Sequence, residues 1–498
     1  MKKETIIEVN TKRVCGKTNP MIYGHFIEHF HRQIYGGIFD PNTPLSDERG
    51  FRKDVLDALK NIGTPIVRWP GGCFVSNYHW KDGVGKRTPF FDKAWRVEEP
   101  NLFGTDEFIM FCQAIGAEPY ICTNAGTGTA EEASNWVEYC NLRNEGKFAK
   151  MRIENGHYEP YNVKYWSIGN ENYGYWEIGA KEQKEWGRFV LESAKMMKRV
   201  DPSIELLAAS ISDLDWNINL LKEAGEYLDW ISIHGYWDSL QQVDNPSSYE
   251  SCMVYTLQIE EQILKTKYIL GSLGYLNKIK IAFDEWNLRG WHHPNIHGGD
   301  WLADNIISAR DRNDINATYT MADAIFNACF LNLCLKYSDL VGMANFAPVV
   351  NTRGAIFTHK EGIVLRSTYY VFELYSKYMG DTIIDSWTSD SDFFEVNHGG
   401  KTYKVPSIDV IATTKKGSEN LRISIVNRNP NQAQVVRIKN NSKFEKGVMY
   451  SLISSSKDSY NDVGQPESCK TVEYSIQINS FEAAVEVGPH SVNVLVLS

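Results

Sequence analysis

Residues 21–28 read Met21-Ile22-Tyr23-Gly24-His25-Phe26-Ile27-Glu28. Met21–Ile27 is a β-type run, and it ends directly on a carboxylate. Two folds accept such a run as the first strand of an alternating β/α chain. An open doubly wound sheet normally follows it with a Gly-rich turn that cradles phosphate. Here that position holds His25-Phe26-Ile27-Glu28, so a closed (β/α)₈ barrel is the better reading. A barrel carries its chemistry at the carboxyl ends of its strands, where Glu28 falls.

The alternation continues outward from this stretch. β-Type runs recur at Pro65–Trp69, Pro119–Thr123, Val163–Ile168, Glu205–Ala209, Trp230–His234, Lys278–Phe283 and Leu340–Phe346. Helical patterns separate them at Asp54–Asn61, Thr105–Ile115, Glu131–Leu142, Lys181–Val200, Asn217–Leu228, Met253–Leu276 and Met321–Tyr337, and Tyr369–Tyr378 follows the last run. Eight strand–helix repeats fit an α/β TIM barrel with loop insertions, placed at residues 19–380. Beyond Gly380 the pattern becomes short β-type runs between polar turns, from Thr382–Trp387 and Phe393–Asn397 to Val492–Leu497. This is an all-β, jelly-roll-like sandwich at residues 381–498. The opening run Thr5–Val9 has no helix after it, so residues 1–18 are expected to supply a strand to that sandwich.

Composition narrows the functional classes. With 498 residues, 43% hydrophobic and 23% charged, the chain is long enough for two globular domains and is not a disordered or fibrous protein. Lys+Arg number 52 against 62 Asp+Glu, a net charge of −10, which argues against a nucleic-acid partner. The start MKKETIIEV has no apolar run behind its basic residues, and no stretch is apolar enough to span a bilayer. A cytoplasmic protein without a membrane partner is expected. Nine cysteines without a CxxC pair read as reduced, mostly buried thiols. The 14 Trp and 26 Tyr offer flat faces of the kind that pack on sugar rings.

Seven of the eight strand ends are polar, while the strand bodies are apolar. Besides Glu28 they hold Arg68-Trp69-Pro70-Gly71-Gly72, Thr123-Asn124, Gly169-Asn170-Glu171-Asn172, His234-Gly235-Tyr236-Trp237, Asp284-Glu285-Trp286-Asn287, and Asn345 leading to Asn351-Thr352-Arg353. One mouth of the barrel is therefore the active site. Glu171 follows the fourth strand and Glu285 the seventh, nearly opposite in the ring, so two long carboxylates converge across it. Glycoside cleavage needs such a pair, one to protonate the leaving oxygen and one to attack or steer water. The histidines His25, His29, His31, His292, His293 and His297 show no HExxH or Cys/His zinc spacing. No metal and no cofactor are expected.

The set Tyr23–His29, Arg68–Gly72, Gly169–Asn172, His234–Tyr236 and Asp284–Asn287 resembles glycoside hydrolase family 51. That family consists mainly of retaining α-L-arabinofuranosidases of the Glu–Glu barrel clan. The likeness runs over essentially the whole chain and is most specific in the stretch Arg68–Gly85, RWPGGCFVSNYHWKDGVG. It implies Glu171 as general acid/base and Glu285 as nucleophile, the first protonated at rest and the second ionised. Arg68 and Tyr236 are then placed to hold Glu285 as an anion, whose charge in turn keeps the proton on Glu171. His234 is a candidate to orient Glu171. Asn170 would bond the 2-hydroxyl of the −1 sugar, Glu28 and Cys73 other ring hydroxyls, and Trp95 and Trp176 would stack on the leaving-group sugar. The family also implies a homo-oligomer, often a hexamer. A sugar-contacting Gln found after strand eight in some members has no counterpart here, where Asn351-Thr352-Arg353-Gly354 stands.

The expected activity is retaining, exo-acting hydrolysis of terminal α-L-arabinofuranosyl groups from arabino-oligosaccharides or arabinoxylan fragments. Endo-β-glucanase or β-xylosidase activity on the same scaffold is the enzymatic alternative. A non-catalytic carbohydrate-binding barrel is the alternative of another class.

Overall fold

The computed structural model describes residues 4–238, 245–290, 312–418 and 420–498. Its first strand, β1 (Glu4–Lys17), runs outside the barrel. The barrel strands follow as β2 (Gly24–Phe26), β3 (Ile66–Trp69), β4 (Glu118–Thr123), β5 (Tyr165–Ile168), β6 (Glu205–Ala208), β7 (Trp230–Asp238), β8 (Lys280–Arg289) and β9 (Val341–Phe346). They form one parallel sheet in the order β6-β5-β4-β3-β2-β9-β8-β7. It closes on itself where Ala209 bridges to Ser232 and Ser210 N–H donates to the Ser232 carbonyl at 2.8 Å. The chain is a TIM barrel with a C-terminal β-sandwich.

The barrel interior explains why the site lies at one end. Met21, Ile66, Tyr120, Tyr165, Leu207, Trp230, Ala282 and Met343 pack as one buried cluster, with one member from each strand or the turn leading into it. This apolar layer plugs the lower barrel. Above it the inward side chains turn polar: the Tyr120 and Ser232 hydroxyls both donate to Asp284, at 2.7 and 2.5 Å. The plug removes water from below, and the polar residues above it face the mouth.

The sandwich is a single nine-stranded sheet folded over its own core. Its strands are β10 (Thr382–Asp390), β11 (Ile408–Thr414), β12 (Leu421–Asn427), β13 (Gln434–Phe444), β14 (Gly447–Ser454), β15 (Cys469–Ile476), β16 (Ile478–Val487) and β17 (Ser491–Leu497), together with β1. β1 lies between β10, antiparallel, and β13, parallel. Its alternating residues Ile7 and Val9 enter the core beside Ile423, Ile425, Ile438 and Leu495, as a half-buried strand requires.

Several elements differ from the expectation. Only Gly24–Phe26 of the first run is extended. Pro20–Tyr23 is a 3₁₀ turn, in which Asn19 accepts the Met21 N–H and Pro20 sits in the first turn, where its missing N–H costs nothing. The long helix expected at Met253–Leu276 is two, Tyr249–Tyr255 and Gln258–Ser272. Phe393–His398 pairs with Lys401–Pro406, as a separate hairpin outside the sandwich sheet. A helix at Gly146–Glu154 was not expected. Eight of the nine cysteines are buried and all are free thiols. Among the described residues no helix is long and apolar enough to cross a membrane.

Candidate active site

The site is assembled from the ends of β2, β3, β5, β7 and β8. Glu171 sits two residues past Gly169, in a turn where both have positive φ, 71° and 45°. A left-handed Glu is uncommon and is tolerated where the surrounding turn over-determines it. The turn is closed by Gly174 N–H donating to the Glu171 carbonyl at 2.7 Å. The Glu171 carboxyl is held from both sides. Trp176 Nε1 donates to Oε2 at 2.7 Å, His234 Nδ1 to Oε1 at 2.8 Å, and the Tyr173 hydroxyl to Oε1 at 3.3 Å.

Glu285 is fixed at both oxygens. Arg68 Nη1 donates to Oε2 at 2.9 Å and the Tyr236 hydroxyl to Oε1 at 2.7 Å. One oxygen of Glu171 and one of Glu285 lie within 4.8 Å of each other and of a ring nitrogen of His234. Arg68 is fully buried, with its Nε 3.3 Å from Asp284 and its Nη2 donating to Asn170 Oδ1 at 2.8 Å. One guanidinium thus spans Asp284, Glu285 and Asn170 from three separate nitrogens in a fixed plane, a spread that the single nitrogen of a lysine cannot cover.

Charge is balanced around His234. Burial pulls the imidazole pKa down, but the charge of Glu285, the Asp284 carboxylate 3.5 Å away and the hydrogen bond to Glu171 outweigh it, raising the pKa to about 10. Burial pushes the Asp284 carboxyl up, yet Arg68 and His234 bring it down to about 2. These surroundings favour the imidazolium form of His234. Its shift makes a stability prediction. A group raised from 6.5 to about 10 contributes stability that is complete below pH 6.5 and lost as pH climbs to 10. The melting temperature of the wild type should fall more steeply over that range than that of His234→Gln. Parallel melting profiles would show that His234 is neutral in the folded protein.

Glu28 is buried at the end of β2. Its Oε1 accepts from Phe74 N–H at 3.0 Å and Trp95 Nε1 at 2.9 Å. Burial, then the charge of Glu285, push this carboxyl well above the usual range. Gly72 makes room for it: φ is 66°, and a Cβ there would lie 2.4 Å from the Glu28 carboxyl. The Gly-Gly turn after β3 thus exists to let Glu28 approach.

The residues singled out from sequence come together here, with one correction. Trp95 is 2% exposed, its indole committed to Glu28 and its ring 4.2 Å from Phe30. It forms a wall that holds Glu28, and its faces are not open to a leaving-group sugar. Trp176 is half-buried beside Glu171. Cys73 is buried with a thiol pKa raised by burial and the nearby carboxylates. Three residues with no role expected from sequence also belong to the site: Asp284, Tyr173 and Glu177. Asp284 was not detectable, since neighbouring side chains on a strand normally point to opposite faces, and it enters the barrel beside Glu285 only because the strand register shifts between Ala282 and Glu285.

A family described as the α-L-arabinofuranosidase 1 domain matches residues 58–253. The α-L-arabinofuranosidase C-terminal domain matches residues 284–491. α-L-Arabinofuranosidase C of Emericella nidulans is 38% identical over 429 residues, 82% of each chain. The intracellular exo-α-(1→5)-L-arabinofuranosidase of Acetivibrio thermocellus is 35% identical over 448 residues, 86% of each. The arabinose complex of the α-L-arabinofuranosidase from Thermotoga maritima has a TM-score of 0.89 at 37% identity, over 99% of each chain. A family 51 α-L-arabinofuranosidase from Thermotoga petrophila has the same TM-score at 36% identity. The chain belongs to glycoside hydrolase family 51. It is a glycoside hydrolase.

Membership also bears on the histidines. In this family 51 chain they serve separate structural ends. His25 packs on Phe372 at 4.7 Å, His29 accepts from Trp69 Nε1 at 3.1 Å and faces Glu99 at 3.0 Å, and His31 faces Asp314 at 3.0 Å. His292, His293 and His297 lie outside the described residues. Among the described residues two groups have donor atoms close enough to hold a metal, Cys73-Glu171-Glu177 and Glu171-His234-Glu285. The Asn351–Gly354 segment is a scaffold: Asn287 Nδ2 donates to the Arg353 carbonyl at 3.1 Å, and Arg366 Nη1 to those of Thr352 and Gly354 at 2.6 and 3.0 Å.

Proposed function

We propose that this enzyme is an exo-acting, retaining α-L-arabinofuranosidase that releases terminal arabinofuranosyl groups from short arabino-oligosaccharides or arabinoxylan fragments. The observation that carries the reading is the convergence of Glu171 and Glu285 on one space, where one carboxylate oxygen of each lies within 4.8 Å of the other and of a ring nitrogen of His234. Retaining glycosidases hold their carboxyl groups roughly 5–5.5 Å apart, while inverting ones need roughly 6.5–9.5 Å to admit a water. In the first step Glu285 attacks the anomeric carbon as the glycosidic C–O bond breaks, and Glu171 gives its proton to the departing oxygen. In the second, Glu171 takes a proton from water, whose oxygen displaces Glu285 and restores both carboxyl groups. Arg68 and Tyr236 keep the nucleophile aimed. Asn170, Glu28 and Cys73 line the position of the sugar hydroxyls, and Trp176 flanks the leaving group beside Glu171.

The relatives named α-L-arabinofuranosidase over most of the chain favour an arabinofuranosyl substrate over glucan or xylan. The intracellular name of the Acetivibrio thermocellus relative favours short substrates already taken into the cell. The test is hydrolysis of a nitrophenyl α-L-arabinofuranoside beside arabinopyranoside and β-xyloside analogues. Only the furanoside should turn over well. NMR of the first-formed sugar should show the α-anomer before mutarotation. A β-anomer would mean that Glu285 works through water.

A further inference from the structure

Glu177 has no part in the double displacement, yet it lies within the site. It follows Glu171 by six residues, is 4% exposed, and its Oε2 accepts from Asn170 Nδ2 at 3.0 Å. Asn170 Oδ1 is already taken by Arg68 Nη2 at 2.8 Å. A side-chain amide has one carbonyl oxygen and two N–H donors. With the oxygen held by Arg68 and one N–H by Glu177, the amide cannot flip, and one N–H remains.

We infer that Glu177 is a positioning residue that fixes Asn170 as a hydrogen-bond donor, never an acceptor, toward the 2-hydroxyl of the bound furanoside. This rests on the arabinofuranosidase reading above. That hydroxyl accepts from Asn170 and keeps its own proton free to donate to a carboxylate oxygen at the anomeric centre. The orientation works with a neutral Glu177, and the surroundings supply one. The groups facing its carboxyl are Glu171, the Cys73 thiol, the Ser76 hydroxyl and the Asn170 amide, none of them a cation. Burial, the largest cause, pushes this carboxyl up from its usual range. A neutral carboxyl offers Asn170 the same carbonyl oxygen that glutamine would.

The test compares Glu177→Gln, Glu177→Asp and Glu177→Leu on nitrophenyl α-L-arabinofuranoside and on its 2-deoxy analogue. Glu177→Gln should stay close to the wild type on both. Glu177→Leu should lose kcat on the arabinofuranoside by on the order of 10²-fold, because a misplaced oriented group costs that much, but far less on the 2-deoxy compound. Glu177→Asp, which keeps the polarity and withdraws the carboxyl by one methylene, should show the same pattern if the leucine variant does not fold. Adding Asn170→Ala to either should cause little further loss. Equal losses on both substrates, additive losses with Asn170→Ala, or a Glu177→Gln variant as impaired as Glu177→Asp would each overturn the assignment. Failure of the wild type itself to cleave the arabinofuranoside would instead overturn the arabinofuranosidase reading.

Discussion

Glu285→Ala should lose turnover on every arabinofuranoside, by on the order of 10⁵-fold, whatever the leaving group. Removing a residue that forms the covalent intermediate leaves only binding and the remaining oriented groups, and such losses in other enzymes reach this size. The loss should not come from unfolding. Arg68 keeps Asp284 at 3.3 Å and Asn170 at 2.8 Å, so its buried charge still has an anion. Added azide fits the space left by the carboxyl and attacks the anomeric carbon directly, so the product should be the β-arabinosyl azide, inverted relative to the α-substrate. Rates on nitrophenyl and natural substrates, a melting curve and NMR of the azide product check the prediction. Activity above about 1% of wild type without azide, where covalent catalysis is lost, would remove Glu285 from the nucleophile's role.

The parts of this molecule visible in sequence are those set by periodicity and by strand ends. Alternating apolar runs ending in Glu28, Arg68, Glu171, His234 and Glu285 led to the barrel, because a strand end in that fold has only the mouth to face. Thr105–Ile115 matches its expected bounds residue for residue, since it has one clean apolar pattern and a glycine boundary at Gly116. Elements stabilised by non-periodic contacts were not visible. The helix Gly146–Glu154 depends on buried Arg152, which donates to the carbonyls of Tyr139, Leu142, Arg143 and His157; no local spacing announces that. The break between Tyr255 and Gln258 falls in a stretch with no glycine or proline. Trp95 looked like a sugar platform by residue type, but its direction is decided by Glu28, 67 residues away. Glu177 lies in an irregular turn, where neither a period of 2 nor one of 3.6 says which way a side chain points.

Glu171→Ala should behave unlike Glu285→Ala, and the difference assigns the two roles. A nitrophenolate leaves with little help, so the first step of the variant on a nitrophenyl arabinoside should be slowed far less than on an arabino-oligosaccharide, whose sugar alkoxide needs a proton. General acid catalysis is worth typically 10²–10⁴-fold, and a gap of that order between the two substrates is expected. The second step is slow on both, because no base remains to deprotonate water, and glycosyl-enzyme should accumulate. Azide needs no base. It displaces Glu285 from the β-linked intermediate and restores turnover, yielding the α-arabinosyl azide, with the configuration of the substrate retained. The fold should tolerate the change, since the partners released from Glu171 include His234, which keeps Glu285 at 3.6 Å and Asp284 at 3.5 Å. The two variants therefore give azides of opposite configuration at the same carbon, one from direct attack and one from attack on the intermediate. Equal loss on both leaving groups, with no α-azide formed, would show that the proton donor is a residue other than Glu171.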